Sequence, residues 1–294
     1  MTTSRVLDTV GEFASLWKRV RRLPVSVQVD EWAQLYGQRW PELLRRQKET
    51  YSSRGVSWRR VAETKVFPGL PARWARIRVA HATLRSVIPA VDRRVRDRLR
   101  FRRPLTHLLH VGIGCGAGWA STYDGTPAIF YGLENVAELG WTGRDRLEAL
   151  VAHELAHVIH SDLRERAGQG GLESVHGPYG QLYSEGFATR VEQWVIGPSH
   201  SSGSERDVGW SAWCRGHEQQ LAAQFLRTVH RHRSARRFFG SWYRNGGHVE
   251  TGYWLGAEVV RSWESTLGLD EIATLPAPSI RERCKDALRR LASL

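Results

Sequence analysis

The 294-residue chain contains no run of 18 apolar residues, so no segment reads as a membrane-spanning helix. Its opening, MTTSRVLDTVGEF, has no basic segment followed by an apolar stretch and a small-residue cleavage site, and the expected location is cytoplasmic, with no membrane partner. Cysteine is scarce: Cys115, Cys214 and Cys284 are odd in number, far apart and never in a CxxC pair. That argues against a disulfide framework and suits reduced thiols. Internal repeats and low-complexity tracts are also lacking.

What is present suits a folded protein: 41% hydrophobic residues and 13 Trp provide material for a sizeable core. Trp210, Trp213, Trp242, Trp254 and Trp263 are expected as core anchors among the C-terminal helices. The formal charge of +13 is unevenly placed. Residues 1–106 hold 24 Lys+Arg against 9 Asp+Glu, whereas residues 107–294 hold 19 against 21. A basic block of this kind is a candidate contact for nucleic acid or another polyanion, although solvated arginine faces are the plainer reading.

The first hundred residues read as helical. Asp30 is a candidate N-cap for a helix over 28–50, Pro41 opens a second segment, and 71–100 forms another helix interrupted near Pro89. LTHLLHVGIG, AGWASTY and TPAIFYGLE then read as strands, the last two separated by the turn pair Asp124-Gly125. Trp141–Arg166 is the clearest helix, with Thr142 as its N-cap. Helices follow over 179–195, 209–238, 249–265 and 279–291, with a polar loop at 197–207. The expected division is a basic helical region at 1–103 and a core at 104–294, either separate from it or continuous with it.

Within the clearest helix the string LVAHELAHVIH holds His153, Glu154 and His157, an HExxH arrangement. Positions i and i+4 lie about 40° apart around a helix, so both imidazoles leave one face and can share one metal ion. Leu147, Val151, Leu155 and Val158 form the stripe that buries. His160 falls one turn further along, but three ligands on successive turns would span ~10 Å, too far for one ion. The following helix offers a carboxylate in LYSEGFATRVEQ: Tyr183, Phe187, Val191 and Trp194 make its apolar stripe, leaving Glu185, Thr189 and Glu192 on the other side. Two His and Glu185 would leave a fourth position open, which is the pattern of a catalytic rather than a structural zinc site. The same ligand types also suit other divalent transition ions. Glu154, beside the ligand face, is placed to accept a proton from the attacking water and deliver it to a leaving amine.

HELAH followed by SEGFA resembles the gluzincin metallopeptidases, in which the glutamate of an EGxA-type segment completes the zinc site. The local match is to aminopeptidase segments of the type NEGFA. The order of strands, hairpin, HExxH, EGFA and a later GYWLG is more similar to a bacterial family of predicted Zn-dependent proteases, over about residues 105–265. The resemblance implies an α+β, predominantly helical fold with a zincin-like, thermolysin-type core, a small mixed sheet and an active-site helix. It implies bound Zn2+ and a peptide or protein substrate. It also supports Tyr253 as the oxyanion donor, with His248 as the rival. Several gluzincins carry an acid four residues after the ligand glutamate; Thr189 stands there in this chain, so Thr189 and Glu192 are both candidates to hold the far nitrogen of a ligand imidazole. Gly132-Leu133-Glu134-Asn135 resembles the GxMEN segment that holds a substrate amine in some aminopeptidases, with a strand-end acid as the plainer reading, and strand 128–134 is a candidate edge for an extended peptide.

Overall fold

In the computed structural model, which describes residues 4–197, 209–240 and 244–293, the chain is predominantly helical with a small mixed sheet. Two contact units emerge: residues 1–92 with 102–151, and residues 93–101 with 152–294. No helix among the described residues is long and apolar enough to cross a membrane.

The first unit begins with strand β1 (Arg5–Asp8), followed by helices α1 (Val10–Val20), α2 (Val25–Arg39), α3 (Pro41–Ser52) and α4 (Trp58–Val61) and the long α5 (Leu70–Arg98). Strands β2 (Thr106–His110), β3 (Trp119–Tyr123) and β4 (Thr126–Gly132) come next, then α6 (Leu133–Glu138) and α7 (Arg144–Arg166). The sheet order is β1-β2-β4-β3, with β1, β2 and β4 parallel and β3 antiparallel to β4. β2 is buried at every position, as a strand paired on both sides requires. Its His107 is held by Tyr131 Oη (3.1 Å) and Asp92 Oδ1 (3.1 Å), so the ring meets polar groups inside the core. Trp32 and Tyr36 of α2 both donate to the Val111 carbonyl, at 3.1 and 2.9 Å. The β3–β4 turn is Asp124-Gly125, with φ of +50° and +69°, the left-handed pair that a tight hairpin demands.

Several expectations change here. β1 is too short and polar to show in the periodicity, yet Arg5 N and Thr9 N donate to Leu105 and Leu109 carbonyls at 2.8 and 3.0 Å. That ladder ties the first ten residues to the strands, so residues 1–103 are not a separate helical part; the division between units instead falls inside α5 and α7. α2 starts after Pro24, not at Asp30, which lies within the helix and pairs with Arg59. Pro89 sits inside an unbroken α5, where burial of Leu84, Val87, Ile88 and Val91 offsets the missing backbone donor. α7 begins at Arg144, so Thr142 is not its N-cap. β4 lies between β2 and β3 and presents no free edge to a peptide. Glu134 is fully buried, accepting backbone N–H bonds from Gly112 (2.8 Å) and Gly114 (3.0 Å), while Asn135 Oδ1 accepts from Gly116 (3.1 Å). These two side chains therefore shape a glycine loop, the strand-end role. In the basic third, Arg45, Arg46, Arg59 and Arg73 each pair with a carboxylate.

The second unit takes in the end of α5 and the second half of α7, followed among the described residues by the helices α8 (Gly177–Ile196), α9 (Trp210–Gly216), α10 (Glu218–His230), α11 (Arg236–Phe239), α12 (Thr251–Trp263), α13 (Leu269–Ala273) and α14 (Ala277–Ser293). The single helix expected over 209–238 is broken at Gly216-His217 and again after His230. Trp210, Trp254 and Trp263 are buried as expected and Trp213 is partly buried, while Trp242 and most of the 197–207 loop lie outside the described residues. α8 starts at Gly177-Pro178 and stops at Gly197, whose φ is +103°. Its contact with α12 is backbone to backbone: a Cβ on Gly186 would lie 2.2 Å from the Gly256 carbonyl oxygen, and one on Gly256 would lie 2.5 Å from the Leu182 carbonyl oxygen. Neither carbonyl can move without breaking its helix. Gly186→Ala is therefore expected to destabilise the protein by about 2–4 kcal/mol, read as a shift in denaturant midpoint, whereas Gly143→Ala, with open space around it, should not.

Candidate functional site

The second half of α7 carries His153, Glu154 and His157, and α8 carries Glu185. The helix period puts the two rings on one face, T-shaped with centroids 4.8 Å apart. Their Nε2 atoms are 3.1 Å from each other, and Glu185 Oε2 is 3.2 Å from both. Among the described residues these three form the one cluster of His, Cys, Asp or Glu with ligating atoms close enough to share a cation.

Behind the rings, each Nδ1 meets an oxygen. Glu192, fully buried, places Oε2 3.4 Å from His153 Nδ1. Ser184 Oγ lies 3.3 Å from His157 Nδ1. A proton on each Nδ1, beside these oxygens, would free both Nε2 atoms to ligate a cation in place of their contacts to Glu185, the tautomer that metal ligation requires. Of the two candidates for this backing role, the structure brings Glu192 to the imidazole. Thr189 instead spends its hydroxyl on the Glu185 backbone carbonyl, at 2.8 Å. Ser184 escaped sequence reasoning because a residue adjacent to a ligand on a helix carries no periodic signal.

The donor set fits zinc. Tetrahedral zinc with bonds of about 2.1 Å keeps its donors roughly 3.4 Å apart. The observed triangle, with sides of 3.1 and 3.2 Å, is near that spacing and combines two nitrogens with one oxygen. The electrostatics favour positive charge at the same point. Burial opposes charge on His153, but hydrogen bonds to Glu185 and Glu192 outweigh it and raise its pKa. For Glu185, burial pushes upward, yet the charge of His157 and the hydrogen bonds from both rings hold it well below the usual carboxylate range. Glu154 is raised, first by burial, with His153 and His157 pulling the other way.

α12 brings Tyr253 to the cluster, its ring centroid 5.8 Å from that of His153. The negative charge of Glu185, then burial, raise its hydroxyl well above its ordinary value, so it remains an O–H donor. His248, the rival, stacks on Trp213 at 4.2 Å, and the opposite partner of Trp213 is His217 at 4.1 Å. His160 is buried away from the cluster, its Nε2 2.7 Å from Tyr183 Oη. Tyr183 Oη also lies 2.7 Å from the Ile272 carbonyl, and Arg164, fully buried, donates to the Leu275 carbonyl at 2.7 Å. These bonds fix α7 and α8 against the segment around α13, and so fix His157 relative to Glu185. A groove of about 550 Å³ borders Ser184 and Glu185 and runs past His176 to Ser234 and Arg236.

Removing the carboxylate behind His153 separates support from ligation. Glu192→Gln is expected to weaken zinc affinity about 10- to 100-fold in chelator competition. Thr189→Ala, which loses only a bond to backbone, should leave it unchanged.

No family model matches the chain, and no curated protein or solved structure matches it either.

Proposed function

We propose that the chain is a zinc-dependent peptidase of gluzincin type, with a zincin-like core, that hydrolyses peptide bonds. The observation that supports this most is the convergence of His153 Nε2, His157 Nε2 and Glu185 Oε2 within 3.2 Å, each imidazole backed by an oxygen at Nδ1. His153, His157 and Glu185 would hold the metal, which when bound supplies Lewis acidity that polarises a carbonyl and acidifies water.

The remaining work belongs to side chains. Glu154 follows His153 on α7 and is mostly buried, so its carboxylate takes the proton from the attacking water and passes it to the leaving amine. Tyr253 keeps its proton and donates a hydrogen bond to the oxygen on which negative charge develops. Glu192 and Ser184 hold the ring orientations on which both steps depend. The alternative, a nucleic-acid-binding or regulatory protein built on such a core, rests on the charge of residues 1–106, part of which is already engaged in ion pairs.

The test is a peptide-library cleavage profile with metal analysis. Wild-type protein is expected to carry about one zinc per chain, to cleave peptides, and to lose activity to a chelator and regain it with zinc. Glu154→Gln should retain zinc and lose roughly 10²–10⁴ in kcat; full activity in that variant would end the mechanism. Tyr253→Phe should lose about 10²–10³ in kcat with little change in KM. An equal fall in Tyr253→Phe and His248→Ala would remove the distinction drawn between them.

A further inference from the structure

The groove beside Glu185 reaches Ser234 and Arg236. Ser234 also lines a second cavity of about 270 Å³, whose walls include Arg227, Arg231, Arg233 and Arg237. The two spaces share Ser234 as a wall and together mark out a candidate track within the second unit, from Glu185 to the arginines. The 227–237 segment holds five arginines and no carboxylate, within a region, 107–294, where acids slightly outnumber bases. A general surplus of arginine therefore does not explain it.

None of the five arginines makes an ion pair among the described residues. Arg237 alone has a side-chain acceptor, Asn245 Oδ1, at 2.8 and 3.1 Å. Attraction to the carbonyl end of α10 accounts for Arg227 in its last turn. It does not account for Arg233, which lies between α10 and α11; Arg231 caps α10, and Arg236 and Arg237 belong to the short α11. Exposed guanidinium groups lining one cavity give it a positive potential that a bound anion would meet. Guanidinium groups bind carboxylates through paired N–H donors, and an extended peptide is the ligand that could run from the reacting centre along such a track.

We propose that the track is a substrate subsite, and that the preferred substrates are peptides with a run of Asp or Glu on one side of the cleaved bond. This rests on the peptidase reading above, and the experiment keeps the two separable. Two labelled peptides of equal length, one with a run of glutamates and the other with glutamines in their place, are titrated by fluorescence anisotropy. The protein is the full zinc-loaded chain with Glu154→Gln, so that neither peptide is consumed. The glutamate peptide should bind about fivefold tighter or more at low salt, and the margin should shrink as salt rises. Adding Arg231→Gln with Arg233→Gln should abolish the margin. The charge-matched pair Arg21→Gln with Arg22→Gln, exposed on the other unit, should preserve it. Equal binding of the two peptides, or a margin that survives Arg231→Gln with Arg233→Gln, would overturn the proposal. The same peptides are then offered to the protein with Glu154 intact, where kcat/KM should follow the binding order. Indifferent cleavage would also overturn it. Cleavage of neither peptide, with the binding margin intact, would sink the hydrolase reading alone and leave the arginine track as a ligand site.

Discussion

The approach of α8 to α12 is the constraint on which the candidate site depends. Gly186 and Gly256 let the two backbones touch where any side chain would enter a carbonyl oxygen. Gly186 directly follows Glu185, and Gly256 lies one turn after Tyr253. The same contact thus sets where the carboxylate on α8 and the phenol on α12 stand relative to the α7 histidines. The glycine of the EGFA segment is there for packing, while the glutamate beside it completes the cluster with the two histidines.

The site gathers charge that a stable core would avoid. Glu154 and Glu192 are buried, and Glu185 completes a group of three carboxylates around two imidazoles. Buried acids are tolerated only when paired, and here each is balanced through the histidines or through whatever cation they hold. The price is met by rigid surroundings: Tyr183 and the fully buried Arg164 bond to carbonyls of the 272–275 segment, so α7 and α8 have little freedom to relax apart. Near this negative centre lies a cavity lined by arginines that make no ion pair among the described residues. That reversal is what a ligand with a polar backbone at one end and negative side chains at the other would recognise.

Much of this was legible beforehand, for physical reasons that can be named. His153 and His157 are four apart on a strongly patterned helix, so their shared face follows from helix geometry alone. Glu185 was readable because the apolar stripe Tyr183, Phe187 and Val191 left it on the opposite side. The Asp124-Gly125 hairpin was readable because few residue pairs accept two positive φ angles. Less visible were β1, four residues with no alternation of their own, and the survival of α5 through Pro89, which depends on burial rather than local preference. Ser184 gave no sign, since a hydroxyl next to a ligand is indistinguishable in sequence from any surface serine.

The sequence by itself determined the helical register of the HExxH histidines, the side of α8 that bears Glu185, and the uneven placement of charge, because these follow from local periodicity and composition. Only the tertiary structure decided which acid stands behind His153, that Tyr253 rather than His248 faces the cluster, and that β4 is an interior strand. Those outcomes turn on contacts between segments distant in the chain, and such contacts are set by which backbones can approach and which buried groups must be paired, neither of which leaves a periodic trace.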